Sequence, residues 1–256
     1  MPLLQVTGLS KRYRRGTAFV SAADDVSFTI DPAETLAMVG PSGSGKSTVA
    51  RLVTRLIEPD AGTILFEGED LRTLRPAAMR AMRGKLQIVL QDPAAALNPR
   101  ATVGRVINDP LKIHTGFSKG ERRTRVTELL ERVRLDPALV NRPLHEISGG
   151  QRQRVAIARA LASSPTLIVL DEAVSALDVS VRAEVLQLLK RIQRETRVAY
   201  LFITHDLGVV RAVADRVAIL DAGRIVELGA AADVVSNPQS DIGKALVAAA
   251  PKLIRS

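Results

Sequence analysis

Cysteine and tryptophan are absent from the sequence, and histidine occurs only three times in 256 residues. Without cysteine, the chain cannot form disulfides, thiolate zinc sites, cysteine-ligated iron–sulfur clusters or a cysteine nucleophile. Three separated histidines are too few for a typical multi-histidine metal site. Aromatic residues make up 3% of the chain, which leaves few stacking platforms for nucleic-acid bases. The chemistry of this chain must therefore rest mainly on oxygen and nitrogen side chains.

Long hydrophobic runs are also missing. No uninterrupted apolar stretch approaches the roughly 20 residues that span a bilayer, and the N-terminal residues do not combine a basic region with an apolar one, as a secretory signal does. Hydrophobic residues nevertheless make up 46% of the sequence, which excludes disorder as the dominant state. We therefore expect a folded protein that is cytosolic or bound peripherally to a membrane.

The charge balance is basic, with 36 lysines and arginines against 27 acidic residues and a formal charge of +9. Such a balance is typical of proteins that bind nucleic acid, an anionic membrane surface or a phosphorylated ligand. A general drift of composition toward arginine, which supplies 28 of the 36 cations, explains it equally well. The basic residues are interspersed with acidic ones, which weakens the nucleic-acid interpretation.

Apolar periodicity alternates between strand and helix along most of the chain. Leu36–Val39 and Leu167–Leu170 are short continuous apolar runs, typical of strands buried on both faces. Helical patterns follow at Val49–Ile57 and Val181–Ile192. Residues 91–162 contain turn-rich segments and helices instead. The pattern predicts an α/β fold with a mainly parallel sheet, an antiparallel β part and an inserted α-helical subdomain.

A glycine-rich motif joins the first buried strand to its helix. Residues 40–47 fit the pattern G-x-x-x-x-G-K-[ST], which predicts a P-loop NTPase core. Its glycines allow backbone N–H groups to close around phosphate oxygens, and the helix start adds positive potential. Lys46 is predicted to contact the β- and γ-phosphates, and Ser47 to bind Mg²⁺. The predicted nucleotide-binding residues here are Gly40, Pro41, Ser42, Gly43, Ser44, Gly45, Lys46, Ser47 and Thr48.

Two adjacent carboxylates follow the second buried strand. Asp171, at the end of that strand, is suited to hold Mg²⁺ through water. Glu172 comes next and can reach toward the γ-phosphate. Because the attacking water needs both orientation and a proton acceptor, Glu172 is the predicted general base.

A second glycine-containing segment, residues 148–151, precedes another helical stretch. One interpretation is a structural helix cap. The other is a second phosphate cradle formed by Ser148, Gly149, Gly150 and Gln151. One chain cannot easily fold both cradles onto one γ-phosphate. The second interpretation therefore predicts a dimer in which this segment acts in trans.

Together these motifs resemble the ATP-binding subunit of an ABC transporter over about residues 3–251. Residues 40–47 match its Walker A motif, 167–171 its Walker B motif and 148–151 its signature motif, with Ile147 where leucine is usual. The resemblance implies ATP and Mg²⁺ as cofactors. It also implies further site residues: Tyr13 stacks on adenine, Gln91 contacts Mg²⁺ and the attacking water, Ser175–Asp178 form the D-loop, and His205 is the switch histidine that bonds the γ-phosphate. The implied metal ligands are Ser47, Gln91 and Asp171.

The segment Asp92–Val103 resembles the corresponding stretch of oligopeptide, dipeptide and nickel importer ATPases, as does the tail around Asn237 and Pro238. Ala173 and Val174 stand where Pro-Thr is usual, a feature similar to the second ATPase subunit of nickel importers. The resemblance therefore favours nickel or a metal chelate over peptides as cargo, bound by partner proteins.

The same resemblance implies a set of partners. They are a companion ATPase subunit in a heterodimer, two membrane permeases and an extracytoplasmic solute-binding protein, with an anionic membrane surface as a further contact and no nucleic acid. The chain would then lie at the cytoplasmic face of a bacterial inner membrane. The alternative is a non-transport ABC ATPase that acts on nucleic acid or the ribosome.

The motif positions predict the domain organisation. Residues 1–90 and 163–230 form the discontinuous nucleotide-binding core, residues 91–162 the helical subdomain with the signature motif, and residues 231–256 a C-terminal extension. The resemblance also places the docking groove for a permease helix beside Asp92–Arg100, with Ala95 and Ala96 at the contact.

Overall fold

The structure is a computed structural model that describes residues 1–92 and 97–249. The predicted permease contact at Ala95 and Ala96 lies outside the described residues. The chain divides into two compact units, Met1–Leu74 with the residues from Ala199 onward, and Arg75–Val198. Because this grouping reflects compactness alone, the division into core, helical subdomain and extension stays a prediction.

An antiparallel sheet occupies the start of the first unit. Its strand order is β2-β1-β4-β5, and Leu4 pairs with Ile30 on one side and Phe66 on the other. All three side chains are fully buried, so this register places apolar residues from three strands at one level of the core. The strands are β1 (Leu4–Arg15), β2 (Ala18–Ile30), β4 (Ala61–Phe66) and β5 (Glu69–Asp70).

Parallel strands form the other layer of this unit. The apolar run at 36–39 lies in β3 (Thr35–Val39), which pairs in parallel with β8 (Ala199–Ile203) and β9 (Arg216–Asp221). A hairpin adds the antiparallel strand β10 (Arg224–Ala230). Every residue of β3 and β8 is buried, as expected for strands covered on both faces.

Four helices accompany these strands in the first unit. They are α1 (Lys46–Val53), α7 (Leu207–Val213), α8 (Ala231–Ser236) and α9 (Asp241–Ala249). The helical pattern predicted to reach Ile57 ends earlier, because Thr54 closes α1 and Arg55 adopts a left-handed φ of 50°. A residue in that conformation cannot continue a right-handed helix.

The second unit combines one parallel strand pair with helices. Strand β6 (Leu86–Val89) pairs with β7 (Leu167–Asp171), the second predicted buried strand. The helices are α2 (Pro76–Lys85), α3 (Val103–His114), α4 (Lys119–Arg132), α5 (Gly149–Leu161) and α6 (Val179–Thr196), with 3₁₀ turns at Pro137–Asn141 and Leu144–Glu146. The α/β class, its antiparallel part and its helix-rich second unit confirm the predicted fold.

Helix α4 begins directly after Ser118, which caps it. The Ser118 hydroxyl accepts a hydrogen bond from the Glu121 backbone N–H at 3.3 Å, and the Glu121 carboxylate accepts one from the Ser118 N–H at 2.7 Å. This reciprocal capping box satisfies two backbone donors that a helix start leaves unpaired.

Among the described residues, no helix has both the length and the hydrophobicity that crossing a bilayer requires.

A glutamate on β10 fixes the start of the last described helix. Glu227 accepts hydrogen bonds from the Gln239 N–H at 2.9 Å and from the Ser240 N–H and hydroxyl at 2.9 and 2.6 Å. Burial opposes the charge, but the hydrogen bonds from Ser240 and Gln239 outweigh it and hold the pKa of Glu227 below its usual value. The ionised carboxylate therefore ties the segment before α9 to the hairpin.

We expect Glu227→Gln to lower the free energy of unfolding by about 1 kcal/mol at neutral pH, because an amide replaces a charged acceptor of three hydrogen bonds. Since the folded-state pKa is depressed, the stabilisation is present above the unfolded-state pKa and is lost as pH falls through the folded-state value. Denaturant titrations at pH 7 and pH 3 measure this, with Glu131→Gln on an exposed position of α4 as the control. A difference between wild type and Glu227→Gln that is the same at both pH values would contradict the account.

Candidate nucleotide-binding site

The glycine-rich loop at residues 40–47 connects β3 to the first turn of α1. A Cβ built on Gly45 would lie 1.9 Å from the Ala22 carbonyl oxygen, and one built on Gly40 would lie 2.0 Å from the Leu220 carbonyl oxygen. Both obstacles are backbone atoms, so neither can move aside as a flexible side chain would. The loop therefore needs glycine at these two positions in order to pack against β2 and β9.

Hydrogen bonds from the hairpin between β9 and β10 also hold the glycine-rich loop in place. The Gly223 N–H donates to the Ser44 carbonyl at 2.9 Å, and the Asp24 N–H donates to the Gly223 carbonyl at 2.8 Å. The hairpin turn thus links the loop to β2. A loop held from two sides keeps its shape before any phosphate arrives, which lowers the entropy lost on binding.

Lys46 lies inside the loop rather than on its surface. Its side chain is buried, and Nζ donates hydrogen bonds to the Gly40 and Pro41 carbonyls, both at 2.8 Å. These neutral acceptors hold the ammonium at the centre of the loop. A phosphate oxygen is a stronger, charged acceptor for the same group, so the arrangement is chemically suited to receive phosphate.

The carboxylate pair follows β7 in the second unit. Asp171 is 3% exposed at the end of the strand. Glu172 adopts a left-handed φ of 48°, a conformation that costs a non-glycine residue about 1–2 kcal/mol. Its carbonyl accepts hydrogen bonds from the Ser175 N–H at 3.1 Å and hydroxyl at 2.9 Å. The following turn thus helps to hold Glu172 in this strained conformation.

Of the predicted catalytic residues, the structure brings Gln91 and Glu172 together. The Gln91 Nε2 donates a hydrogen bond to Glu172 Oε2 at 2.9 Å, across 81 positions of sequence. This bond occupies one oxygen of the predicted general base. The amide therefore helps to orient the carboxylate, which keeps further lone pairs for a water.

A cavity of about 350 Å³ opens beside this pair and contains a residue that the motif analysis missed. Gln91, Gly149, Gln153 and Ala173 are among its lining residues. Gln153 is 2% exposed, and its Nε2 has no hydrogen-bond partner among the described residues. A buried amide without a partner is costly, which marks this cavity as a place where a further polar group fits. The available signal was a glutamine on the buried face of α5.

The segment at residues 148–151 does cap a helix. The Ser148 hydroxyl accepts from the Gln151 N–H at 3.2 Å, and Gln151 Oε1 accepts from the Ser148 N–H at 2.9 Å. A Cβ on Gly150 would lie 2.7 Å from Val181 Cγ1, whereas one on Gly149 would meet nothing within 4 Å. Packing among the described residues therefore requires a small residue at Gly150 but not at Gly149, whose position is exposed.

The other predicted residues lie on defined backbone. Asp178 caps α6, and hydrogen bonds from the Val181 N–H and the Ser180 hydroxyl hold its pKa below the usual value. His205 is exposed directly after β8. The backbone after it is fixed, because the Asp206 N–H donates to the buried Thr204 hydroxyl at 3.0 Å.

Tyr13 lies on β1 and is 42% exposed, opposite Val20 of β2. Val20 and its neighbour Phe19 are also exposed, at 47% and 71%, and the sequence analysis did not single them out. The three side chains place apolar surface on one hairpin. Lys11 Nζ lies 5.9 Å from the centre of the Tyr13 ring, close enough for a cation–π contact.

Replacing Gly45 by alanine should destabilise the protein more than replacing Gly43. Both residues have positive φ, 106° and 81°, so both variants carry backbone strain. A Cβ at Gly43 meets nothing within 4 Å, however, while one at Gly45 collides with the Ala22 carbonyl. We expect Gly45→Ala to cost at least about 2 kcal/mol more than Gly43→Ala in denaturant titrations. Equal losses would show that the loop does not depend on this close approach.

Comparisons with known proteins agree with this geometry. The family model described as ABC transporter matches residues 23–175. A putative peptide import ATP-binding protein of Brucella ovis is 47% identical over 250 residues, which cover 98% of this chain and 79% of that protein. A glutathione import ATP-binding protein of Salmonella typhi is 48% identical over 258 residues, which cover 98% of this chain but only 41% of that protein.

A solved structure supports the same assignment. An ATP-binding cassette in a dimeric, post-hydrolysis state, bound to ADP and Pi, is 31% identical to this chain and superposes with a TM-score of 0.81, covering 89% of this chain and 98% of that one. The nucleic-acid alternative finds no support in these relatives. The chain therefore belongs to the ABC transporter family and is one of its ATP-binding subunits, an ATPase coupled to transport.

Proposed function

We propose that this ATPase powers the import of peptides through separate permease subunits. The observation that carries the proposal is the 47% identity, over nearly the whole chain, to a putative peptide import ATP-binding protein. The nickel prediction rests on Ala173 and Val174, which are both only 2% exposed. Buried residues affect local packing and cannot touch a cargo carried by other subunits, so they do not distinguish metal from peptide.

The cofactors follow from the donor atoms. The Ser47 hydroxyl, the Asp171 carboxylate and the Gln91 amide offer oxygen ligands, the kind that Mg²⁺ prefers. Among the described residues, no group of three or more His, Cys, Asp or Glu residues could hold a metal by itself. We propose that Ser47, Asp171 and Gln91 would hold Mg²⁺ when ATP is bound. When bound, it neutralises charge that develops on the phosphates during transfer.

We propose that Glu172 accepts a proton from the water that attacks the γ-phosphorus. The new P–O bond forms as the bond to the β–γ bridging oxygen breaks, and ADP and phosphate leave. Lys46 contacts the β- and γ-phosphates, His205 bonds the γ-phosphate and Tyr13 stacks on adenine. The Gln91–Glu172 hydrogen bond supports a resting state in which the Gln91 amide is bonded to the carboxylate of the base. Displacement of Gln91 would then couple hydrolysis to the state of the permease.

We further propose that the second phosphate cradle acts in trans. The open surface at Gly149 supports this, since a Cβ added there would meet no atom of the described residues within 4 Å, and so does the dimeric state of the solved cassette. The proposed partners are a companion ATPase subunit in a heterodimer, two permeases and an extracytoplasmic solute-binding protein. The proposed location is the cytoplasmic face of the inner membrane, with an anionic lipid surface as a further contact.

Glu172→Gln should reduce steady-state ATP hydrolysis by the assembled transporter at least 100-fold, because removing a general base typically costs a factor of 10² to 10⁴. ATP binding should be retained, since the phosphate contacts are unchanged. Radiolabelled ATP binding and phosphate release measure the two effects separately.

Glu195→Gln, on an exposed position of α6, serves as the control and should hydrolyse ATP normally. Near wild-type hydrolysis by Glu172→Gln would remove this residue from the role of base. The corresponding variant of the companion subunit should be measured in parallel, because a second active site can supply residual turnover.

Gly149→Asp tests the action in trans. In the Glu172→Gln background, we expect it to leave folding and ATP binding unchanged. We expect it to abolish the ATP-driven association of the chain with itself or with its companion subunit, as measured by sedimentation. The physical reason is that an added carboxylate repels the γ-phosphate that this segment would approach.

Gly120→Asp is the matched control, since Gly120 also lies in the first turn of a helix and its Cβ would meet nothing within 4 Å. It should associate normally. ATP-driven association of Gly149→Asp with wild-type affinity would contradict the proposal.

A further inference from the structure

A second cavity, of about 480 Å³, lies in the helical part of the second unit. It is formed by α3, α4 and the 3₁₀ turn at Pro137–Asn141. Five cationic side chains line it, and no acidic side chain does so among the described residues: Arg105, Lys112, Lys119, Arg122 and Arg123. None of the predicted nucleotide-binding or catalytic residues contributes to this cavity.

The positive charge in this cavity is separated from negative charge, so it does not simply reflect the basic composition of the chain. On α4, Lys119, Arg122, Arg123 and Val126 face the cavity, the spacing of one helical face. Of the three acidic residues of the same helix, Glu121 and Glu128 line a different cavity, and Glu131 lines neither. On α3, Asp109 interacts electrostatically with Arg159 of α5. None of these carboxylates lines the cavity that contains the five cations.

The cavity also has the features of a prepared anion site. The Arg122 Nε donates to Asn108 Oδ1 at 3.2 Å, and its Nη1 donates to the Phe117 carbonyl, so the guanidinium is oriented before a ligand arrives. The other four cations form no ion pair among the described residues. Val126, which is 4% exposed, supplies an apolar wall. Low-dielectric walls strengthen the field that like charges create in a cleft.

We infer that this cavity binds a phosphate-bearing anion at a site separate from the proposed nucleotide site. Guanidinium groups match the geometry of phosphate oxygens and bind them through paired hydrogen bonds, and the ammonium groups of Lys112 and Lys119 add charge. The phosphate is supplied either by a small soluble molecule or by the headgroup of an anionic phospholipid. Both sources present the same chemistry to the five cations.

The test compares two double variants that remove the same charge. Arg105→Gln with Arg123→Gln empties the cavity of two unpaired cations. Arg125→Gln with Arg80→Gln removes two arginines that do not line it. All proteins are first saturated with ADP so that the P-loop is occupied. Helical content and ADP affinity confirm that both variants fold.

Two probes distinguish a soluble phosphate-bearing ligand from a phospholipid headgroup. Isothermal titration calorimetry with inorganic pyrophosphate measures binding of a soluble ligand. Flotation with phosphatidylglycerol vesicles, compared with phosphatidylcholine vesicles, measures binding to an anionic headgroup. We expect the cavity variant to weaken at least one of these interactions tenfold or more, while the control variant stays within twofold of wild type. A loss confined to pyrophosphate identifies a soluble ligand, and a loss confined to vesicles identifies a headgroup. Equal weakening by both variants, or no binding of either probe by wild type, would overturn the inference.

Discussion

The close approach of the P-loop backbone to its neighbours is the constraint on which the nucleotide site depends. Gly40 and Gly45 bring the loop within reach of the Leu220 and Ala22 carbonyls, a separation that no Cβ tolerates. This packing, with the hairpin bond to Ser44, defines a loop around the Lys46 ammonium. The fold of the first unit therefore holds the loop in a shape in which backbone carbonyls already surround the Lys46 ammonium.

In the second unit, the predicted general base is in direct contact with Gln91. Glu172 is held at a left-handed φ, and its carboxylate accepts a hydrogen bond from Gln91. Gln91 also lines the cavity that contains Gln153, so a movement of Gln91 would change both the contacts of the Glu172 carboxylate and the shape of that cavity.

Sequence motifs predicted the loop and the strands around the candidate site, because such motifs encode local geometry. The glycine spacing of the P-loop and the apolar runs of β3 and β7 each depend on neighbouring residues, and the structure has the loop and the strands where they were expected. The family assignment, carried by the order of the motifs, is confirmed by relatives that match nearly the whole chain.

Features that depend on distant contacts were not predictable in the same way. The early end of α1 depends on the left-handed conformation of Arg55, whose guanidinium bonds the Leu71 and Leu74 carbonyls. Helix α3 continues through Pro110, a residue that ordinarily ends helices, and its side chain is buried. The unpaired Gln153 amide and the basic cavity arise from side chains that meet only after the helices have packed.

We propose that the glycine-rich loop binds the phosphates of ATP through Lys46. Equilibrium binding of ATP to the isolated chain, measured by titration calorimetry, compares wild type with Lys46→Ala and with Lys244→Ala, a control at an exposed position. We expect Lys46→Ala to weaken ATP binding at least tenfold, because the only buried ammonium among the described residues is removed from the cradle, while Lys244→Ala should bind normally. Unchanged ATP affinity in Lys46→Ala would contradict it.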